Sequence, residues 1–280
     1  MTERISSYDR HGLTFDVRDS GPLDGPVAVL LHGFPQTSTS WAAVSAHLNE
    51  RGVRTIAPDQ RGYSPGARPK GRYSYRGSEL AADVVALLRQ LGRPVHLVGH
   101  DWGSAVAWSV AGGNPDLLAS LTAVSVPHPA AFLRSMLRSS QALHSWYMAA
   151  FQIPLLPELS ARRRPEVFDA MLRHSRMTDE HIATTRREIV DSGALPFAIN
   201  WYRGMPFAGP ASLANRIQVP TTMVWSDGDE FITRRSIELT ADYVSGPYKL
   251  DVLPGVSHWI PEEKPAELAD AVCNRIERGA

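Results

Sequence analysis

Short apolar runs alternate with longer amphipathic stretches along most of the chain. The runs are rich in β-branched residues and have the length of strands, whereas the longer stretches repeat apolar residues at helical spacing. Strand-like runs occur at 13–19, 27–31, 53–57, 95–98, 121–126 and 221–225, and helical patterns occur at 40–50, 77–92, 104–115 and 265–278. This alternation predicts βαβ units, and therefore a mostly parallel sheet with helices on both faces.

The alternation is interrupted in the middle of the chain. Residues 128–212 are helical or irregular in pattern and rich in aromatic residues, Met, Arg and Pro. We therefore predict one α/β core, residues 1–127 and 213–280, with a helical cap, residues 128–212, inserted into it. Because open α/β sheets bind ligands at the carboxyl ends of their strands, a cap inserted there would close over the site.

Composition narrows the range of functions. The 29 Lys and Arg residues balance the 29 Asp and Glu residues, which argues against nucleic acid or a membrane surface as a partner. The single cysteine, Cys273, and the lack of a long apolar segment favour a cytoplasmic protein. The ten histidines are scattered and no phosphate-binding loop is apparent, so we expect neither a metal ion nor a cofactor.

The segment GHDWGS, residues 99–104, follows a strand-like run and begins a helical pattern. Its first five residues have the G-x-Nuc-x-G frame of a nucleophile elbow, in which a sharp turn exposes the central side chain above the sheet. That side chain is Asp101, at the start of a helix whose dipole favours an anion. Asp is also a common N-cap residue, so the pentapeptide alone leaves a purely structural role open.

The segment HGFP, residues 32–35, follows the strand at 27–31. A turn of this kind directs a backbone N–H at a reaction centre, and the residue after the nucleophile supplies a second N–H. The predicted oxyanion hole therefore consists of the main-chain amides of Phe34 and Trp102. We interpret His32 as a structural residue behind the loop.

Two later segments supply an acid and a histidine. WSDGDE, residues 225–230, ends a strand, and PGVSHW, residues 254–259, forms a loop after another strand. We predict that Asp229 orients His258, although Asp227 on the same turn is an alternative acid. The order along the chain is nucleophile, acid and histidine, which differs from the order in chymotrypsin-like and subtilisin-like enzymes.

These motifs, together with PDQRGYS at 58–64, resemble the α/β-hydrolase superfamily, and specifically its epoxide hydrolases, across nearly the whole chain. The motifs occur in the family's order, with an insertion where the family carries its cap. The resemblance implies an α/β-hydrolase fold with a mostly parallel central sheet, helices on both faces and an inserted helical cap. PDQRGYS departs slightly, because relatives usually have a further Gly where Ser64 or Pro65 stands.

A carboxylate nucleophile implies a saturated carbon as the electrophile. Asp101 is already ionised, so His258 is free to activate water. Displacement of a leaving group would form an alkyl ester on Asp101, and water would then attack the carbonyl of that ester, with Asp229 orienting His258. An epoxide oxygen and a halide remain as leaving groups, and only the epoxide oxygen needs an acid.

The segment NWYR, residues 200–203, resembles the part of the cap in which epoxide hydrolases carry a ring-opening tyrosine, which assigns that role to Tyr202. The family's second tyrosine position falls on Ala150 when FQIP, residues 151–154, is aligned. Tyr147 lies three residues earlier, about one helical turn away, and is the candidate second tyrosine. The resemblance thus implies a small apolar epoxide and water as the partners.

Two alternatives remain from the sequence. A haloalkane dehalogenase would use the same Asp101, with the Trp102 indole and either Trp146 or Trp201 holding the halide. A ligand receptor with little turnover also occurs on this fold. In each case we expect the substrate pocket to be lined by Trp146, Phe151, Trp201 and Trp259, and we expect the protein to be a monomer or a homodimer.

Overall fold

The computed structural model of the chain describes residues 3–209 and 216–278, and an eight-stranded β-sheet forms its centre. The strands are β1 (Ser7–Arg10), β2 (Leu13–Ser20), β3 (Val27–Leu31), β4 (Arg54–Pro58), β5 (Val95–His100), β6 (Leu118–Val124), β7 (Thr221–Ser226) and β8 (Tyr248–Leu253). Their order across the sheet is β1-β2-β4-β3-β5-β6-β7-β8. The β1–β2 and β2–β4 pairs are antiparallel and every other pair is parallel. The predicted mostly parallel sheet is therefore confirmed.

Helices cover both faces of the sheet, as the apolar strands require. The core helices are α1 (Ala42–Glu50), α2 (Gly77–Leu91), α3 (Trp102–Gly113), α12 (Arg234–Glu238), α13 (Ile260–Glu263) and α14 (Pro265–Glu277). In β3, Ala28 and Leu30 pack into one apolar cluster and Val29 and Leu31 into the other, because successive side chains of a strand point to opposite faces. Each fully buried Leu contributes about 2 kcal/mol of transfer free energy.

A run of short helices connects β6 to β7. Among the described residues it includes α4 (Pro129–Met136), α5 (Gln141–His144), α6 (Trp146–Ala150), α7 (Leu156–Arg163), α8 (Pro165–His174), α9 (Asp179–Thr185), a π-helical turn (Arg186–Asp191), α10 (Leu195–Ala198), α11 (Asn200–Gly204) and a 3₁₀ turn (Met205–Phe207). Glu188 in the π-helical turn accepts hydrogen bonds from Thr37 Oγ1 at 2.5 Å and Thr39 Oγ1 at 2.7 Å, which join this segment to the loop after β3. The predicted end of the cap at residue 212 lies outside the described residues.

The edge strand β1 was not predicted. Its four residues are mostly exposed, so they give no apolar alternation. Tyr8 is its buried residue, and the Tyr8 ring stacks on that of Phe15 at a centroid distance of 4.7 Å. In the described part of the chain, no helix has the length and apolar character needed to cross a membrane.

Candidate active site

Asp101 lies at the turn between β5 and α3, and its backbone has φ +52° and ψ −122°. A non-glycine residue rarely adopts a positive φ, so the fold must stabilise this strained conformation. The flanking glycines make the turn possible. A Cβ at Gly99 would collide with the Gly103 carbonyl group, and a Cβ at Gly103 would collide with the Leu31 carbonyl group.

Three groups surround the Asp101 carboxylate. The Phe34 N–H donates to Oδ1 at 2.7 Å, the Trp102 N–H donates a second backbone hydrogen bond, and His258 Nε2 lies 3.5 Å from Oδ2. Burial alone would raise the pKa of Asp101. The hydrogen bond and charge of His258 and the donated N–H groups outweigh burial and hold the pKa below its usual value. Asp101 is therefore a buried but ionised carboxylate.

His258 is held between two carboxylates. Its Nδ1 lies 2.7 Å from Asp229 Oδ2, while the other oxygen of Asp229 accepts the N–H groups of Phe231 at 2.8 Å and Ile232 at 3.0 Å. Burial opposes a charge on the imidazole, but Asp229 and Asp101 raise the pKa of His258 to about 10. The imidazole is therefore an imidazolium at neutral pH.

Asp227 and His32, the two other residues considered from the sequence, form hydrogen bonds outside the Asp101–His258–Asp229 group. Asp227 Oδ1 accepts the Gly255 N–H at 2.6 Å, whereas it is Asp229 that meets His258. His32 Nε2 accepts the Gln60 N–H at 3.1 Å, so its Nδ1 carries the proton and donates to the Gly33 carbonyl oxygen at 3.0 Å. His32 thus ties two loops together beneath the site.

A cavity of about 750 Å³ opens above Asp101 and His258. Most of its lining side chains are aromatic or aliphatic or belong to the site itself, including Phe34, Phe151, Leu172, Phe231 and Trp259, and a few others are polar or charged, such as His174, Arg176 and Glu230. Such a cavity binds an apolar molecule and brings it to a few polar groups. Within the described residues, no three His, Cys, Asp or Glu side chains are grouped so that they could hold a metal ion.

Two tyrosines from the segment between β6 and β7 line the same cavity. Tyr202 of α11 is buried, and its ring centroid lies 6.0 Å from that of Tyr147 in α6. Burial and the charge of Asp101 raise the pKa of both phenols. The Trp102 indole forms a hydrogen bond with the Tyr202 side chain. The side chains of Tyr202 and Tyr147 are also hydrogen-bonded to each other, so the two phenols act as a coupled pair.

The four predicted pocket residues do not behave alike. Phe151 and Trp259 line the cavity and are buried, and Trp146 lines its mouth with 67% of its surface exposed. The expectation for Trp201 is wrong. Trp201 lies behind the cavity wall, and its indole N–H donates to the Arg61 carbonyl oxygen at 2.7 Å.

Phe231 was not predicted as a site residue, although its ring centroid lies 5.0 Å from that of the His258 imidazole. Its position two residues after Asp229 was the available signal, because the Phe231 N–H caps that carboxylate. Met171 and Leu172 of α8 also line the cavity and were missed. Their segment carries no motif, so the sequence offered no signal for them.

Residues 28–271 match the alpha/beta hydrolase family, and the chain belongs to that family. The predicted α/β-hydrolase fold is thus confirmed. The chain is 36% identical over 263 residues to AB hydrolase superfamily protein YfhM of Bacillus subtilis, covering 91% of this chain and 92% of that protein. It is 32% identical over 270 residues to Epoxide hydrolase 3 of Xenopus tropicalis, covering 92% and 73% of the two chains.

Solved structures agree with this assignment. An epoxide hydrolase of Vigna radiata superposes with a TM-score of 0.82 at 25% identity, covering 97% of each chain. An epoxide hydrolase from hot-environment metagenomes superposes with a TM-score of 0.79 at 27% identity, covering 100% of this chain and 99% of that one. The similarity therefore extends over the helical segment between β6 and β7.

Proposed function

We propose that this protein hydrolyses an epoxide to a vicinal diol through a covalent ester on Asp101. The observation that carries the proposal is the meeting of an ionised, buried carboxylate with two protonated phenols in one apolar cavity. A carboxylate attacks the epoxide carbon, and a phenol acts as the general acid that protonates the departing oxygen. Similarity to epoxide hydrolases over most of the chain supports the same activity.

In the first step Asp101 Oδ2 attacks a ring carbon and the carbon–oxygen bond breaks. Tyr202 hydrogen-bonds the departing oxygen and donates its proton, with Tyr147 as a second donor. Oδ1 is the oxygen bonded to the Phe34 N–H, at 2.7 Å. It therefore becomes the carbonyl oxygen of the ester and is already in the oxyanion hole formed by the amides of Phe34 and Trp102.

Formation of the ester converts His258 into a base. Esterified Asp101 has lost the negative charge that helps to raise the pKa of His258, so this pKa falls. The proton that the imidazolium releases returns to the phenolate that protonated the epoxide oxygen. Neutral His258, oriented by Asp229, then takes a proton from water, which attacks the ester carbonyl, and gives it to the departing diol oxygen. The Asp101 carboxylic acid that remains gives its proton to His258, which restores the ionised carboxylate and the imidazolium.

The haloalkane dehalogenase alternative is less well supported. Halide binding needs convergent N–H donors, but the Trp102 indole is engaged with Tyr202 and the Trp201 N–H with the Arg61 carbonyl oxygen. Trp146 is 67% exposed at the cavity mouth, where water competes for its N–H group. The arrangement therefore favours an oxygen leaving group over a halide.

The organisation of the protein follows from this proposal. Residues 128–212 serve as a cap over a core of residues 1–127 and 213–280, and the cap supplies Tyr147 and Tyr202. The partners are a small apolar epoxide and water, supported by the aromatic cavity walls. We further propose a cytoplasmic location, supported by the single Cys273, and a monomeric or homodimeric state.

The test is incubation of the purified protein with styrene oxide and, separately, with 1-bromobutane. We expect diol from the epoxide and no bromide release from the haloalkane. Release of bromide without diol would overturn the proposal in favour of a dehalogenase. The absence of both products would instead favour a receptor, and the Asp101→Ala variant controls for background hydrolysis.

A further inference from the structure

The loop after β8 carries His258 across the sheet. β8 lies at the edge of the sheet, whereas Asp101 follows β5, three strands away in the order β5-β6-β7-β8. To reach Asp101, the loop must run over the carboxyl ends of β7 and β6. The backbone of such a crossing loop has polar groups that need partners underneath.

Side chains from the ends of three adjacent strands supply those partners. Ser226, the last residue of β7, donates from Oγ to the Ser257 carbonyl oxygen at 2.8 Å. Ser125, directly after β6, donates from Oγ to the His258 carbonyl oxygen at 3.1 Å. His100, the last residue of β5, lies with Nε2 2.9 Å from the same oxygen.

These three donors are buried, and two of them have unusual properties. Ser125 has a φ of +66°, which is a strained conformation for a residue with a side chain. Burial and His258 lower the pKa of His100 to about 3, so the ring is neutral, and its contact with a carbonyl oxygen requires the proton on Nε2. All three side chains are essentially inaccessible to solvent, so water cannot replace these bonds.

The His258 carbonyl oxygen also accepts the Ile260 N–H at 3.0 Å. That bond lies within the loop and leaves the loop free to move as a unit. Among the described residues, the bonds from Ser226, Ser125 and His100 are the ones that connect the backbone of 257 and 258 to the sheet that carries Asp101. Together with the contact between Asp229 and the imidazole, they set the distance between the imidazole and the nucleophile.

We propose that Ser125, Ser226 and His100 form a histidine-loop clamp, a set of positioning residues that hold His258 for the second half of the proposed reaction. Ester formation needs no base, because Asp101 attacks as an ionised carboxylate and the phenols supply the acid. Hydrolysis of the ester depends on the position of Nε2, because a base must lie within hydrogen-bond reach of its water. The clamp rests on the proposed function, since it assigns these residues to one of its two steps.

The experiment measures the two steps separately in Ser125→Ala, in Ser226→Ala and in the double variant. Rapid quenching and intact mass spectrometry with styrene oxide follow the formation and decay of the alkyl-enzyme. Ser135→Ala is the matched control, because Ser135 is equally buried and its Oγ donates within α4, to the Phe132 carbonyl oxygen at 2.7 Å, and not to the loop after β8.

We expect ester formation to stay within twofold of wild type, and ester hydrolysis to slow about fivefold in each single variant, the effect of losing one hydrogen bond. Alkyl-enzyme then accumulates, so kcat and KM fall together, whereas loss of folded protein alone would lower kcat and leave KM unchanged. In Ser135→Ala both rates should match wild type.

Hydrolysis at the wild-type rate in the double variant, or equal slowing of both steps, would overturn the clamp. If Ser125→Ala does not fold, Ser226→Ala tests the same clamp through the Ser257 carbonyl group. Failure of the proposed function is recognised separately, because the wild-type protein would then form no alkyl-enzyme. That result would remove the clamp's role together with the function.

Discussion

Replacing Asp229 by Asn tests how the acid controls His258. Asp229 Oδ1 is fixed by the N–H groups of Phe231 and Ile232, so Oδ2 is the atom 2.7 Å from His258 Nδ1. In the Asn variant the amide oxygen keeps the two backbone bonds, and the NH₂ group must face Nδ1. Nδ1 must then accept a hydrogen bond and so carries no proton, and the neutral imidazole keeps its proton on Nε2, the nitrogen nearer Asp101.

An imidazole with its proton on Nε2 cannot take a proton from water at that nitrogen. In a hydrolytic triad the same change of tautomer costs about 10⁴ in kcat. We therefore expect Asp229→Asn to slow ester hydrolysis about 10³- to 10⁴-fold, equivalent to about 4 to 5 kcal/mol. Ester formation should change by less than tenfold, because the nucleophile, its N–H donors and the phenols are untouched.

The assay is a single turnover with styrene oxide, stopped by acid and analysed by intact mass spectrometry. The Asp229→Asn protein should gain the mass of one epoxide and keep it for minutes to hours. The control is Asp227→Asn, a change of the same kind two residues away, whose amide oxygen can still accept the Gly255 N–H. If Asp229→Asn hydrolyses its ester within tenfold of the wild-type rate, the reasoning about the tautomer is refuted.

Further predictions concern the two phenols and a buried acid. Tyr202→Phe should slow ester formation at least 100-fold and leave ester hydrolysis within twofold of the wild-type rate. Tyr147→Phe should slow ester formation by a smaller factor. Slowing of ester hydrolysis alone in either variant would contradict the assignment of the two phenols as proton donors. Burial raises the pKa of Glu262 to about 8, so its carboxyl group destabilises the fold increasingly as pH rises from about 4.5 to 8. Glu262→Gln should therefore stabilise the protein by up to about 5 kcal/mol at pH 9 and hardly at pH 4 in urea unfolding. Equal effects at the two pH values would contradict this.

The sequence was informative where the chemistry depends on a local turn. GHDWG specifies Asp101 because only glycine can occupy the two close approaches on either side of it. The strand periodicity likewise identified β3, β5 and β7, whose side chains are buried on both faces. Each of these patterns is contained in a few consecutive residues, so it can be recognised without knowledge of the tertiary structure.

The sequence was less informative where the answer depends on helix orientation. Trp201 and Tyr202 are consecutive residues of α11, and consecutive side chains on a helix point about 100° apart. They therefore cannot both face the cavity, and the pattern of NWYR does not say which one does. The structure directs Tyr202 into the cavity and Trp201 towards the Arg61 carbonyl oxygen.

Contacts between distant segments were beyond the reach of sequence patterns. His100 and Ser125 lie 158 and 133 residues before the His258 carbonyl group that they contact. Neither residue belongs to a periodic pattern that reports its partner. Their role follows only from the strand order, which brings the ends of β5 and β6 beneath the loop after β8.

The most direct test of the central claim is a single turnover of the wild-type protein in ¹⁸O-water with enzyme in excess over styrene oxide. Because water attacks the carbonyl carbon of the ester, one ¹⁸O atom should enter the Asp101 carboxylate, and the first diol should carry none. Mass spectrometry of the peptide that contains Asp101 measures this label. Label in the first diol, with none in that peptide, would contradict a covalent ester on Asp101.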